Sequence, residues 1–243
     1  MIQNLKALLQ GEPVEPYNGG QVKPGAVCWA IVPYVHTEFH VIRALSSDPA
    51  SADSNKYSLM SKTAKQVCSD SDGEVKLPHA ALSLRSTEDL VACKVKKRPV
   101  VVLTACLSEE DKGFPAHFRD CVLCAPLFTL VDADGFEKPG YGEQVISRIA
   151  ALQYRRVFPL PTHPHLDSWL CAIRLDRIAS IHVSCLSTPE LKISGRWLTF
   201  IREWVRYYAT GHFGERMRPG GKENWGELLS AAQSVLAEAI GQK

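Results

Sequence analysis

The chain has 243 residues, 45% hydrophobic and 22% charged, with 28 Lys and Arg against 26 Asp and Glu. Such a length buries a core without cross-links or metals, and such a composition excludes a disordered tail or a fibrous rod. A net charge of +2 is too small for the global field to drive nucleic-acid binding, so any such surface must be local.

At the start, Ile2, Leu5, Leu8 and Leu9 have the spacing of a short amphipathic helix and lack the apolar core of a signal peptide. No later stretch reaches the roughly 18 consecutive apolar residues of a membrane span. The expectation is a cytoplasmic protein with no membrane partner. Residues 11–23, rich in Pro, Gly and Asn, predict a loop, and residues 1–22 are read as an N-terminal helix and linker. A strand is predicted over 26–32, halted by Pro33, since a proline cannot donate to the ladder. Residues 44–90 turn rich in Ser, Asp, Ala and Lys and read as an insertion.

Buried strands are predicted over 98–104 and 121–129, and further strands over 154–160, 168–174 and 177–183. Between them Val145, Ile146, Ile149 and Leu152 predict a helix over 141–152. Trp197, Phe200, Ile201, Trp204, Val205 and Tyr208 follow the helical i, i+3, i+4, i+7 pattern, and Leu228, Leu229, Ala232, Val235, Leu236 and Ala239 repeat it. Trp197 and Trp204 therefore read as helix-packing residues. The fold class is mainly β (α+β): a closed or half-closed sheet over 23–187, with two C-terminal helices in an extension over 188–243. No internal repeat, Gly-rich phosphate loop or Gly-x-Ser-x-Gly is present, which disfavours solenoids, nucleotide-binding folds and serine hydrolases.

Eight cysteines stand at 28, 68, 93, 106, 121, 124, 171 and 185, several inside apolar runs, where a thiol behaves as a small hydrophobe rather than half of a disulfide. Cys121 and Cys124 form a C-x-x-C without a second ligand pair at zinc-finger spacing, and on a strand their side chains point to opposite faces. No metal and no cofactor is expected. Basic residues concentrate at Lys94-Val-Lys-Lys-Arg98 and between Lys192 and Lys222, runs that by themselves read as solvated faces.

Four pieces of sequence, in order, resemble the MazF/PemK toxins. They are Lys23-Pro-Gly-Ala-Val-Cys-Trp29, Arg98-Pro-Val-Val-Val-Leu103, Cys124-Ala-Pro-Leu-Phe-Thr129 and Ala172-Ile-Arg-Leu-Asp-Arg-Ile178. The resemblance covers roughly residues 23–33 and 96–183. It departs from the family at Ala26, which replaces an Asp, and at Phe128, where a Thr usually stands two residues after the proline. It implies an SH3-like small β-barrel of the MazF/PemK type that cleaves single-stranded RNA without a metal, as part of a toxin-antitoxin or phage-defence system. It also implies a homodimer and an antitoxin partner.

In that reading the 2′-hydroxyl is the nucleophile, so the site needs a proton acceptor and cations for the growing negative charge. Asp176 is then the base and Arg174 the electrostatic partner, two apart on an expected strand and so on one face. Arg98 lies beside the scissile phosphate and Thr129 is the nearest hydroxyl, although the pleat turns it away unless a bulge resets the strand. His36, Glu38 or His40 from the loop after the first strand, and Arg177, are candidate substrate contacts, and exposed edge positions are the plainer reading of the first three. His163 and His165 read as a solvent-facing turn. The alternative function is a barrel without catalysis that binds nucleic acid or protein, in which Arg174 and Asp176 form only a cross-strand pair.

Overall fold

A computed structural model of the chain describes Leu9, residues 11–33, 38–44, 57–63, 90–92, 95–105, 120–163, 166 and 168–214. Apart from Leu9, the first expected helix lies outside these residues, as do the second C-terminal helix, His36 and His165. Among the described residues there are strands β1 (Val14–Pro16), β2 (Ala26–Pro33), β3 (Glu38–Ala44), β4 (Tyr57–Thr63), β5 (Leu90–Ala92) and β6 (Val95–Val102). These are followed by β7 (Cys121–Asp132), helix α1 (Glu143–Ala150), β8 (Val157–His163), β9 (Ser168–Arg174), β10 (Ala179–His182), β11 (Leu191–Ile193) and helix α2 (Gly195–Thr210). No helix among them is long and apolar enough to cross a membrane.

The architecture is α+β and mainly β. Eight strands form one antiparallel sheet in the order β1-β11-β2-β6-β7-β9-β8, with β10 also paired to β7. β3, β4 and β5 form a separate sheet in the order β4-β3-β5. Two compact units result: Met1–Ala30 with Lys97–Lys243, and Ile31–Lys96. The insertion read over 44–90 is therefore wider, taking in β3 and the ends of β2 and β6. The expected linker contains β1, whose Val14 pairs with Ile193 of β11.

β7 is the spine of the larger unit because its apolar residues serve both faces of the sheet. Ala125 and Leu127 join a cluster with Phe158, Cys171, Ile173, Trp197, Phe200, Ile201 and Trp204. Leu130 joins the opposite cluster with Ile146, Ile149, Val157, Leu170 and Ala172. Burial on both sides over Cys124–Leu127 is what makes the middle of this strand a continuous apolar run rather than an alternating one. α2, the first helix of the stretch read as a C-terminal extension, packs into this core: Trp197, Phe200, Ile201 and Trp204 are all 0% exposed. Phe158 meets Trp197 edge-on at 6.4 Å and Phe200 at 5.6 Å between ring centroids, the separations aromatic pairs favour. α2 ends at Gly211, whose φ of 76° closes the helix in the left-handed conformation as its N–H donates to the Tyr207 carbonyl.

On one side, β7 pairs with β6; on the other, β10 covers its first part and β9 its second. β9 and β10 are one line of chain broken by a single 3-10 turn, Leu175–Arg177. That turn falls where the strands read over 168–174 and 177–183 meet, and the candidate site lies beside it.

Candidate functional site

The register of three strands assembles the site. Val100 pairs with Pro126, so two residues further along each antiparallel strand Arg98 stands opposite Phe128. On the other side Phe128 faces Ala172, a side chain too small to cover the ring. Arg174 lies two residues beyond Ala172, a diagonal neighbour within reach of a long side chain. The Arg98 guanidinium carbon sits 4.1 Å from the Phe128 ring centroid and that of Arg174 sits 5.5 Å from it. Two cations from separate strands therefore meet on one aromatic ring, whose negative face attracts both.

Asp176 pins the second of them. Arg174 donates from Nε to Asp176 Oδ1 at 2.7 Å and from Nη2 to Oδ2 at 2.6 Å, a two-point pair between side chains that are 18% and 20% exposed. Arg177 Nε lies 3.9 Å from the same carboxylate. The expected reason for this pairing, two residues of one strand sharing a face, is not the actual one. Arg174 ends β9 and Asp176 belongs to the 3-10 turn, which folds the carboxylate back along the side of the guanidinium.

Tyr141 is a further member. The chain leaves β7 through a turn in which Asp132 accepts from the Phe136 N–H at 2.9 Å and from Lys138 Nζ at 2.9 Å. It then returns alongside, Val131 bridging to Glu137 and the Lys138 N–H donating to the Leu130 carbonyl at 2.9 Å. This return sets Tyr141 against the cluster on which Phe128 also packs. The Arg174 guanidinium titrates above its ordinary range: the Asp176 hydrogen bond raises it, burial opposes this, and the Asp176 charge and Tyr141 add to the rise. For Asp176 burial pulls upward, but the Arg174 hydrogen bond and the charges of Arg174 and Arg177 prevail and hold the carboxyl below its usual value.

No family model, curated protein or solved structure matches the chain.

Among the residues singled out from sequence, Arg98, Arg174, Asp176 and Arg177 come together in this cluster. Thr129 does not. It pairs with Cys171, whose side chain belongs to the core on the opposite face from Phe128. The strand does carry a bulge, between Thr129 and Val131, but it begins after Thr129 and leaves that residue facing away. Glu38 pairs with Thr63, and His40 with Ser61 and Ala92, in the smaller sheet. The basic run before Pro99 is not one patch, because neighbours on a strand point to opposite faces: Lys97 lies 5.8 Å from the Trp29 ring, whereas Arg98 turns to Phe128. Cys121 and Cys124 both lie on β7, and burial pushes the Cys124 thiol up to about 12. Among the described residues no group of three His, Cys, Asp or Glu side chains could hold a metal.

Chemically, the arrangement is a pair of guanidiniums on one aromatic ring. A guanidinium has five N–H donors. Arg174 gives two to Asp176 on its Nε side, and the rest suit a second oxyanion. Asp176 thus orients this arginine without consuming it, a requirement for planar recognition of a phosphate.

Proposed function

We propose that this chain is an endoribonuclease of the MazF/PemK toxin type, with an SH3-like barrel in its larger unit, that cleaves single-stranded RNA by attack of the 2′-hydroxyl. The observation that carries the reading is the convergence of Arg98 and Arg174 on the Phe128 ring, with Asp176 fixing the second guanidinium. The two arginines hold the scissile phosphate and stabilise its added negative charge, and the Asp176 carboxylate accepts the 2′-hydroxyl proton. A toxin-antitoxin role, a cytoplasmic setting and a homodimer belong to the same proposal.

One pair of observations favours a second reading, in which the same cluster binds RNA without cutting it. Both Asp176 oxygens are engaged by Arg174 and its pKa is lowered, which makes it a weak base near neutrality, and Thr129 is turned to the other face.

The deciding experiment is incubation of labelled single-stranded RNA with the full chain in chelator. Shorter products ending in a 2′,3′-cyclic phosphate, formed about 100-fold more slowly by Arg174→Ala, are the expected result. Intact RNA, or equal cleavage by the variant, rules out the nuclease.

A further inference from the structure

The two strands that carry Val27 and Val101 into the core carry Trp29 and Lys97 out of it. Alternate residues of a strand share a face, so Trp29 continues the line of Val27 along β2, and Lys97 that of Val101 along β6. Val27 and Val101 are 7% and 0% exposed and pack in the cluster of α2. Trp29, the next on its line, is 47% exposed, and Lys97 is exposed as well. The Lys97 Nζ lies 5.8 Å from the centroid of the indole. The ring stands on a fixed backbone: the Trp29 N–H donates to Ser187 Oγ at 2.8 Å, and the Trp29 carbonyl accepts from the Ser187 N–H at 3.0 Å. A ring whose backbone is already held costs little to order on binding.

We propose that Trp29 stacks on an unpaired nucleobase while Lys97 meets the phosphate beside it, giving RNA a second contact on the sheet face opposite Arg98. The proposal rests on the RNA-binding reading above, but on none of the chemistry assigned to Arg174 and Asp176. An aromatic face with a cation at its side is complementary to a single strand, in which each base has a π face and each link an anion. The contact is tolerant of sequence for the same reason. Its two halves leave different marks on binding. Removing the ammonium flattens the salt dependence, because fewer counterions are released. Removing the indole lowers affinity at every salt concentration, and only for a strand that has bases.

The test uses the full chain and two fluorescein-labelled single strands of equal length: a mixed-sequence 2′-O-methyl RNA, which lacks the attacking hydroxyl, and an abasic phosphodiester. Binding is followed by anisotropy from low to high salt, and the Tm of each variant is recorded to confirm the fold. For Trp29→Leu the expected result is a Kd for the RNA raised about tenfold with an unchanged slope of log K against log salt, and wild-type binding of the abasic strand. Lys97→Ala should flatten the slope by about 0.7 for both strands. If Trp29→Leu binds the RNA like wild type while Arg174→Ala is weakened, the proposal falls, the phosphate reading stands, and the exposed ring is left to a protein surface. Equal weakening of both strands by Trp29→Leu also overturns it, because the indole would then act without touching a base. A wild-type slope for Lys97→Ala removes the lysine from the contact and contradicts the proposal. If Arg174→Ala binds as wild type while Trp29→Leu is weakened for the RNA alone, the phosphate reading falls and the proposal stands. Failure of wild type to bind either strand ends both.

Discussion

Arg174 is held by two kinds of contact at once: a two-point ion pair with Asp176 and a ring face from Phe128. Each restrains a different motion. The carboxylate fixes rotation in the guanidinium plane, and the ring resists tilting out of it. For Asp176 the consequence is a pKa depressed below 3.8, and the sign of the linkage follows. A carboxyl whose folded pKa lies below its unfolded one contributes stability in full above the unfolded value and loses it as the pH falls through the folded value. Asp176→Asn should therefore have a lower Tm than wild type at neutral pH, and the gap should close as the pH drops below 3.8. Thermal melts of both proteins across that range provide the check. A gap that persists unchanged down to about pH 2 would show that Asp176 is not held as a carboxylate by Arg174.

At the scale of elements, the turn into β2 depends on a glycine that three strands approach. Gly25 has a φ of +91°, its N–H donates to the Val102 carbonyl at 2.7 Å, and its carbonyl accepts from the Ile193 N–H at 2.7 Å. A Cβ there would lie 3.0 Å from Leu198 Cδ2 and 3.3 Å from the Ile193 carbonyl oxygen. Gly25→Ala should destabilise the fold by about 1–3 kcal/mol, read as a lower urea midpoint with an unchanged m-value; an unshifted midpoint would contradict this account of the junction. The same elements show what sequence patterns can and cannot reveal. β2, β7, β9 and α2 were legible because their apolar runs or 3.6-residue periods record burial directly. β1 and β11 were not, since each has only three residues and owes its strand conformation to distant partners, β1 to β11 and β11 to both β1 and β2. The bulge after Thr129 and the 3-10 turn at Leu175–Arg177 arise from bending a paired sheet, a long-range demand that leaves no local composition behind. Arg98, Arg174 and Asp176 were recognisable as a charged set, but the Phe128 ring that the arginines share follows only from the strand register, and Tyr141 only from the path of the chain after β7.

Taken as a whole, the larger unit commits its two sheet faces to different tasks. One face meets the aromatic residues of α2, with Trp197, Phe200 and Trp204 wholly buried around Phe158. The other is covered in part by Ile146 and Ile149 of α1 and carries the paired guanidiniums at Phe128. A chain with a net charge of +2 draws a polyanion only weakly from a distance, so the proposed hold on RNA would have to come from these few local cations. The salt dependence of single-stranded RNA binding by wild type and by the Arg98→Ala, Arg174→Ala double variant tests this most directly. Wild type should bind with affinity that falls as salt rises, and the double variant should bind more weakly with a slope flatter by about 0.7 for each arginine removed. Equal affinity and equal slope for the two proteins would contradict the account.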